Sequence, residues 1–268
     1  MALPPPDDSS TALVTGASAG IGAAIARLLA ERGHGVVLVA RREQRLRDLA
    51  ADLAGRHGVR AEPIGADLAD PGARDRLAAR LDELGLTVEV LVNNAGFGGS
   101  GSLARGDRRR MVEMVRLNCE AYVDLQARYS AGMAERGRGA VINVASTAAF
   151  QPLPGTATYG ATKAFVLSLS EATHSELAGH GVTVTAVCPG PVKTEFAQAA
   201  GVGDAERTLP GVFWTPVADV AREAVDGAAG GRRVVVPGLL NRAGALAGQH
   251  TPRVLALPIV KNVWRRAT

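Results

Sequence analysis

Short apolar runs rich in β-branched residues recur along the chain at Ala12–Thr15, Val36–Val39, Ala61–Ile64, Val90–Val92, Val141–Val144, Val182–Val187 and Val234–Val236. Each is nearly continuous rather than alternating, the pattern of a strand covered on both faces. Longer stretches of helical period lie between them. Ile21, Ala24, Ile25, Leu28 and Leu29 form one stripe, Leu46, Leu49 and Leu53 a second, and Leu77, Leu81 and Leu84 a third. The third is entered through Asp70-Pro71, an N-cap residue followed by a first-turn proline. Another helical run begins at Tyr159 and carries Phe165, Leu169 and Leu177. Strand then helix, repeated, predicts an α/β fold: a doubly wound parallel sheet of about seven strands with helices on both faces. The 268 residues suit one such domain, 1–268, with no linker or repeat. Ligands of such sheets bind beyond the carboxyl ends of the strands. Chemistry is therefore sought in the residues that follow each strand.

Composition narrows the partners. The formal net charge is +4, and the basic residues are scattered, the longest run being Arg108-Arg109-Arg110. No aromatics interleave them, which argues against a nucleic-acid binder. The two cysteines, Cys119 and Cys188, cannot form a disulfide framework and read as buried reduced thiols. The five histidines lack metal spacing, so no metal site is expected. Met1 to Ser10 is polar and proline-rich, without the basic-then-apolar order of a signal peptide, and no apolar run approaches the ~20 residues of a spanning helix. A cytoplasmic location is expected. Lysine and tyrosine are scarce, with three of each: Lys163, Lys193, Lys261, and Tyr122, Tyr129, Tyr159.

Thr15-Gly16-Ala17-Ser18-Ala19-Gly20-Ile21-Gly22 follows the first strand and opens the first helical stripe. Glycines here allow a tight turn and the approach of a pyrophosphate to the backbone, while the helix N-terminus offers free N–H groups. The second strand ends in Ala40-Arg41-Arg42. An acidic residue there would accept from the ribose hydroxyls of NAD; here two guanidinium groups stand instead, suited to a 2′-phosphate. The alternative for Arg41 and Arg42 is a solvated helix start, the reading given to Arg45 and Arg47.

Tyr159-Gly160-Ala161-Thr162-Lys163 puts a phenol and an ammonium four residues apart, on one face of a helix. A nearby ammonium favours phenolate and lowers a phenol from its ordinary value of about 10 toward the working range. With three of each residue type, a chance Tyr-x-x-x-Lys is expected only about 0.03 times. Ser146 ends the strand Val141–Val144 and precedes Tyr159 by 13 residues. Its hydroxyl could donate to a substrate carbonyl while the tyrosine delivers a proton.

These motifs, in this order, resemble the short-chain dehydrogenase/reductase family, single-domain and NADP-preferring, with its Rossmann-like fold. The matching residues are Thr15 to Gly22, Asp67-Leu68, Asn93-Asn94-Ala95-Gly96, Asn118, Ser146, Tyr159 with Lys163, and Pro189-Gly190 followed by Val192 and Thr194. The resemblance implies a catalytic tetrad of Asn118, Ser146, Tyr159 and Lys163. It also implies a cofactor site of Gly16, Ser18, Gly20, Ile21, Gly22, Arg41 and Arg42, with Asp67 and Leu68 beside the adenine and Asn94, Ala95 and Gly96 as floor. Pro189, Gly190, Val192 and Thr194 would serve the nicotinamide end, and Tyr159 and Lys163 also touch the cofactor. The implied activity is NADP(H)-dependent interconversion of a carbonyl and an alcohol, with Asn118 holding a water relay. A homodimer or homotetramer is implied as well.

The substrate is a small molecule, expected to meet Phe97 to Gly101, Phe150 to Gly155, and Phe196 to Trp214 as part of a lid over 191–215. These linings favour an apolar carbonyl or alcohol. Residues 237–268 form a C-terminal extension, read as a cover for the substrate mouth or a subunit interface in preference to a basic membrane foot. Two alternatives remain open: reduction of carrier-bound β-ketoacyl thioesters, with Arg105 and Arg108 to Arg110 as docking cations, and a non-catalytic NADPH-binding regulatory protein.

Overall fold

A computed structural model describes residues 3–196, 211–255, 257 and 258. The apolar runs form seven parallel strands: β1 (Ser10–Thr15), β2 (Val36–Ala40), β3 (Ala61–Gly65), β4 (Thr87–Asn93), β5 (Gly139–Val144), β6 (Val182–Val187) and β7 (Val234–Val235). Their order is β3-β2-β1-β4-β5-β6-β7, the predicted doubly wound sheet. The order reverses between β1 and β4, so a crevice opens at their carboxyl ends.

Among the described residues the α-helices are α1 (Gly20–Glu31), α2 (Glu43–His57), α3 (Pro71–Glu83), α4 (Arg108–Val115), α5 (Ala121–Glu135), α6 (Ala157–Leu177), α7 (Val217–Ala229) and α8 (Leu239–His250). Helices α1, α2 and α7 pack on one face through Ile25, Leu29, Leu46, Leu53 and Val220. Helices α3 and α5 cover the other through Leu77, Leu81 and Leu125. Leu13, Leu38, Leu91 and Ile142, caught between these layers, are fully buried, each contributing about 1.5–3 kcal/mol. Asp70 caps α3 as expected, its carboxylate accepting from the Gly72 N–H at 3.0 Å. β3 is an edge strand and half-buried, which is why Pro63 is tolerated within it.

Two strand positions and one helix depart from the apolar reading. Asn93 and Asn143 are buried within β4 and β5. Asn93 Nδ2 donates to Asn143 Oδ1 at 3.0 Å, and Asn143 Nδ2 donates to Gln126 Oε1 at 2.7 Å and Ser170 Oγ at 2.9 Å. This chain of amides ties α5 and α6 to the sheet. In α6, Leu169 and Leu177 are only partly buried, Leu177 against the core. Phe165 is exposed, whereas Thr162, Lys163, Val166, Leu167 and Ser170 are buried. The buried polar groups find partners there, Thr162 with Asn118, Lys163 with the Val144 carbonyl and Ser170 with Asn143, beside the apolar Val166 and Leu167.

Candidate active site

A cavity of about 610 Å³ lies over the carboxyl ends of the central strands. Gly16, Ser18, Gly20, Ile21, Arg41, Arg42, Asp67, Leu68, Asn94, Ala95, Gly96, Ser146, Tyr159, Lys163, Pro189, Gly190, Val192 and Thr194 all line it. Gly22 and Asn118 support the wall from behind.

The glycine turn is shaped by Asn94 as much as by any ligand. Asn94 Nδ2 donates to the Thr15 carbonyl at 2.9 Å, while Thr15 Oγ1 accepts from the Asn94 and Ala95 N–H groups. A Cβ on Gly22 would lie 2.4 Å from Asn94 Nδ2 and 2.6 Å from the Gly16 carbonyl oxygen. A Cβ on Gly16 would lie 2.6 Å from the same amide, and its φ of +67° is left-handed as well. The N-cap of α1, Ala19, makes no side-chain capping bond. The first turn therefore keeps the free N–H groups that an anion can take.

At the far end of the crevice Arg42 Nε and Nη2 donate to Ser18 Oγ at 3.1 and 3.0 Å. Arg41 is more exposed and lies 3.8 Å from Glu113. Leu68 is buried, and its carbonyl accepts from Nη1 of the buried Arg74 at 2.8 Å. Arg74 also pairs with Glu120 at 2.6 Å and with Asp124. It thereby joins the adenine-side loop to the helical segment that carries Asn118. That segment, Arg116–Glu120, is a π-helical turn, an irregularity common at functional sites.

At the near end, Lys163 is 4% exposed, and its Nζ donates to the Val144 carbonyl at 2.7 Å. It stands 5.9 Å from the centre of the Tyr159 ring and 5.6 Å from that of Tyr122. Burial pushes Lys163 down to about 8 and the Tyr159 phenol up to about 12, with a hydrogen bond from Ser146 pulling the phenol the other way. The direction differs from the expected lowering: the ammonium donates to a backbone carbonyl, and burial of the phenol outweighs its hydrogen bond from Ser146. Ser146 caps the short turn Thr147–Phe150 by accepting from the Ala148 N–H at 3.1 Å, and its Oγ lies 3.5 Å from the Pro189 carbonyl.

Asn118 is fully buried. Its Oδ1 accepts from the Phe97 N–H at 3.2 Å, and its Nδ2 donates to the Phe97 carbonyl at 3.0 Å and Thr162 Oγ1 at 3.1 Å. These bonds clamp the chain after β4 against α6. Burial pushes the Cys119 thiol up to about 11 and that of Cys188 up to about 12, leaving both protonated.

The expected substrate segments separate. Phe97 lines the cavity with Leu117, Phe196 and Trp214, and the Phe196 ring sits 5.7 Å from that of Tyr159. Gly99, Ser100, Gly101 and Gly155 instead line a second cavity of about 280 Å³. Phe150 packs toward the core beside α8. The run between β5 and α6 is divided in the same way, with Ser146 and Thr147 on the main cavity and Gly155 and Thr156 on the second. Of the expected lid, residues 197–210 lie outside the described residues, as do 256 and 259–268 of the C-terminal extension.

Asn241, Glu195 and Arg74 carried no signal in the sequence. The buried Asn241 Nδ2 donates to the Phe213 carbonyl, Thr215 Oγ1 and the Pro237 carbonyl at 3.2, 3.1 and 3.2 Å. A Cβ on Gly190 would lie 2.3 Å from Asn241 Oδ1. Helix α8 thus presses on the cofactor-side loop through an amide that only glycine admits.

The profile of the short chain dehydrogenase family matches residues 10–204. A Streptomyces violaceoruber protein, named provisionally as ketoacyl reductase 1 of the granaticin polyketide synthase, is 40% identical over 190 residues, 70% of this chain and 69% of that one. A short-chain dehydrogenase from Sphingobium yanoikuyae, solved in complex with NADPH, superposes with a TM-score of 0.79 at 38% identity, over 89% of this chain and 92% of that one. The bulky-bulky ketone specific alcohol dehydrogenase of Comamonas testosteroni superposes with a TM-score of 0.75 at 32% identity, over 92% and 96%.

Proposed function

The chain belongs to the short-chain dehydrogenase/reductase family, and from that premise we propose how its residues divide the work of an NADP(H)-dependent oxidoreductase that interconverts a carbonyl and an alcohol. The observation that carries this reading is one continuous crevice. It has Ser18, Arg41 and Arg42 at one end, Ser146, Tyr159 and Lys163 at the other, and the uncapped start of α1 between them.

The residues fit the cofactor. The Gly16–Gly22 turn and the first turn of α1 would take the diphosphate, and Ser18, Arg41 and Arg42 the 2′-phosphate. Asp67 and Leu68 would border the adenine, with Asn94 to Gly96 beneath. Tyr159 and Lys163 would hold the nicotinamide ribose, and Pro189, Gly190, Val192 and Thr194 the carboxamide side. When bound, NADPH supplies the hydride that reduces a carbonyl carbon. Ser146 donates to the carbonyl oxygen and fixes its position. Tyr159, held protonated by its surroundings, delivers a proton to the developing alkoxide. Lys163 keeps a mobile charge beside the phenol, ready for the reverse direction, where phenolate is the base. Asn118 has its amide committed to Phe97 and Thr162 and acts as a positioning residue.

The walls beside Tyr159, formed by Phe97, Leu117, Phe196 and Trp214, support an apolar, bulky ketone or secondary alcohol as substrate. The Comamonas enzyme's name points the same way. A second reading, reduction of a β-ketoacyl thioester, draws support from the Streptomyces relative's name and from Arg110, whose guanidinium lies 5.2 Å from the centre of the Phe97 ring at the mouth. We take 1–268 as one cytoplasmic domain with 191–215 as substrate lid and 237–268 as C-terminal extension. Among the described residues no helix is long and apolar enough to cross a membrane. Assembly into a homodimer or homotetramer is supported by exposed Val112, Val115, Val123 and Phe165 on α4, α5 and α6.

Substituting Tyr159→Phe is expected to leave NADPH binding intact and to lower turnover by at least about a hundredfold. NADPH oxidation, followed optically against a panel of ketones, aldehydes and ketoacyl thioesters, checks both this and the substrate class. Near-full turnover in the variant would sink the role of Tyr159. Tight NADPH binding with no turnover on any member would favour a regulatory protein instead.

A further inference from the structure

We propose that Glu195 is a specificity-determining residue that competes with the 2′-phosphate of the cofactor for Arg42, a role that rests on the NADP(H) reading above. Glu195 stands just after the nicotinamide-side loop, yet its carboxylate reaches across the crevice. Arg42 Nη1 donates to Oε2 at 2.5 Å, while Arg45 Nη1 donates to Oε1 at 2.7 Å and Oε2 at 3.0 Å. With Nε and Nη2 on Ser18 Oγ, all three nitrogens of the Arg42 guanidinium are engaged before any phosphate arrives.

The two partners of Arg42 respond differently to a phosphate. Ser18 offers a hydroxyl, both donor and acceptor, which can turn and donate to a phosphate oxygen. Glu195 offers acceptors only. Hydrogen bonds from Arg42 first and Arg45 second hold its carboxyl below the usual carboxylate range, so it is an anion at neutral pH. A phosphate on Arg42 would face this carboxylate acceptor to acceptor and charge to charge. Binding the phosphate therefore requires Glu195 to give up Arg42. Arg45, already spanning both carboxylate oxygens, is the partner to which it withdraws. The side chains of Arg42, Arg45 and Glu195 are 46%, 49% and 50% exposed, so the exchange meets no packed wall. NADH carries only a neutral 2′-hydroxyl at this position, with no charge set against Glu195. Glu195 thus sets a cost that falls on the phosphorylated cofactor alone. It narrows a preference that Ser18, Arg41 and Arg42 would otherwise make larger.

The test is Glu195→Gln, which keeps the shape and removes the charge. Binding of NADPH, NADH and 2′,5′-ADP is measured by titration calorimetry at low ionic strength. NADPH and 2′,5′-ADP should bind about twofold to fivefold more tightly to the variant, as loss of an exposed ion pair implies, with NADH changed less than about 1.5-fold. Unchanged or weaker 2′,5′-ADP binding overturns the role of Glu195 while leaving the cofactor reading intact. An equal gain for NADH also overturns it, since the effect would not then be on the phosphate. Placed in an Arg42→Ala background, the substitution should lose most of its effect, and an undiminished gain there overturns exchange at Arg42. Failure of both proteins to bind NADPH and 2′,5′-ADP overturns the cofactor reading and the proposal with it.

Discussion

Lys163 stores a measurable instability. It is buried, and its amino group is displaced from an ordinary 10.5 to about 8. Folding therefore brings the charged form into a poorer environment than water, at a cost of about 3 kcal/mol at neutral pH. Its hydrogen bond to the Val144 carbonyl offsets part of this. That carbonyl also accepts from the Tyr122 hydroxyl at 3.2 Å and is not orphaned when the lysine is removed. Substituting Lys163→Met should therefore leave the cofactor-free protein as stable as the parent at pH 7, or up to about 2 kcal/mol more stable, while turnover collapses. The pH dependence carries the sharper expectation. Below pH 8 the amine is charged in both folded and unfolded chains, and the folded state bears the whole cost. Between pH 8 and 10.5 the folded protein has released the proton and the unfolded chain has not, so parental stability rises with pH. Urea unfolding of both proteins at pH 7 and pH 9.5 should show their difference shifting by about 2 kcal/mol in favour of the parent at the higher pH. Raised thiols and phenols act in the opposite sense above pH 9, but they are common to both proteins and cancel in the difference. A difference that stays constant with pH would refute the argument that burial governs this lysine.

Further measurements address the packing around the crevice. Gly22→Ala should lower unfolding free energy by about 1–3 kcal/mol, because its Cβ would meet Asn94 Nδ2 at 2.4 Å and the Gly16 carbonyl at 2.6 Å; a thermal midpoint equal to the parent's would show that the turn yields freely. Asn241→Ala should cost about 1–3 kcal/mol by leaving the Phe213, Thr215 and Pro237 acceptors without their shared donor. Urea titration of that variant decides, and loss of under a few tenths of a kcal/mol would mean that α8 is held by its apolar contacts instead.

The sheet and the location of the crevice were legible in the order of residues. Continuous β-branched runs can satisfy both faces only inside a doubly wound sheet, and helical stripes between them make the crossovers. The chemical inventory was legible there too, because glycines after β1, arginines after β2 and a Tyr-x-x-x-Lys pair each sit at a strand end or helix start where their spacing is local. Tertiary structure decided what depends on contacts between distant segments. The inner face of α6 sets Thr162, Lys163 and Ser170 among apolar residues, because their partners arrive from other elements. The glycines at 16 and 22 proved to make room for an asparagine more than 70 residues away, which no local pattern reports. The Tyr159 phenol is pushed up rather than down, because an i, i+4 spacing gives proximity but says nothing of solvent. Glu195 opposite Arg42, Arg74 against Glu120 and Asp124, and Asn241 against Gly190 are meetings of segments distant in the chain. They are fixed by how loops converge on the crevice, and their residue types, ordinary on any surface, become informative only once the fold has brought them together.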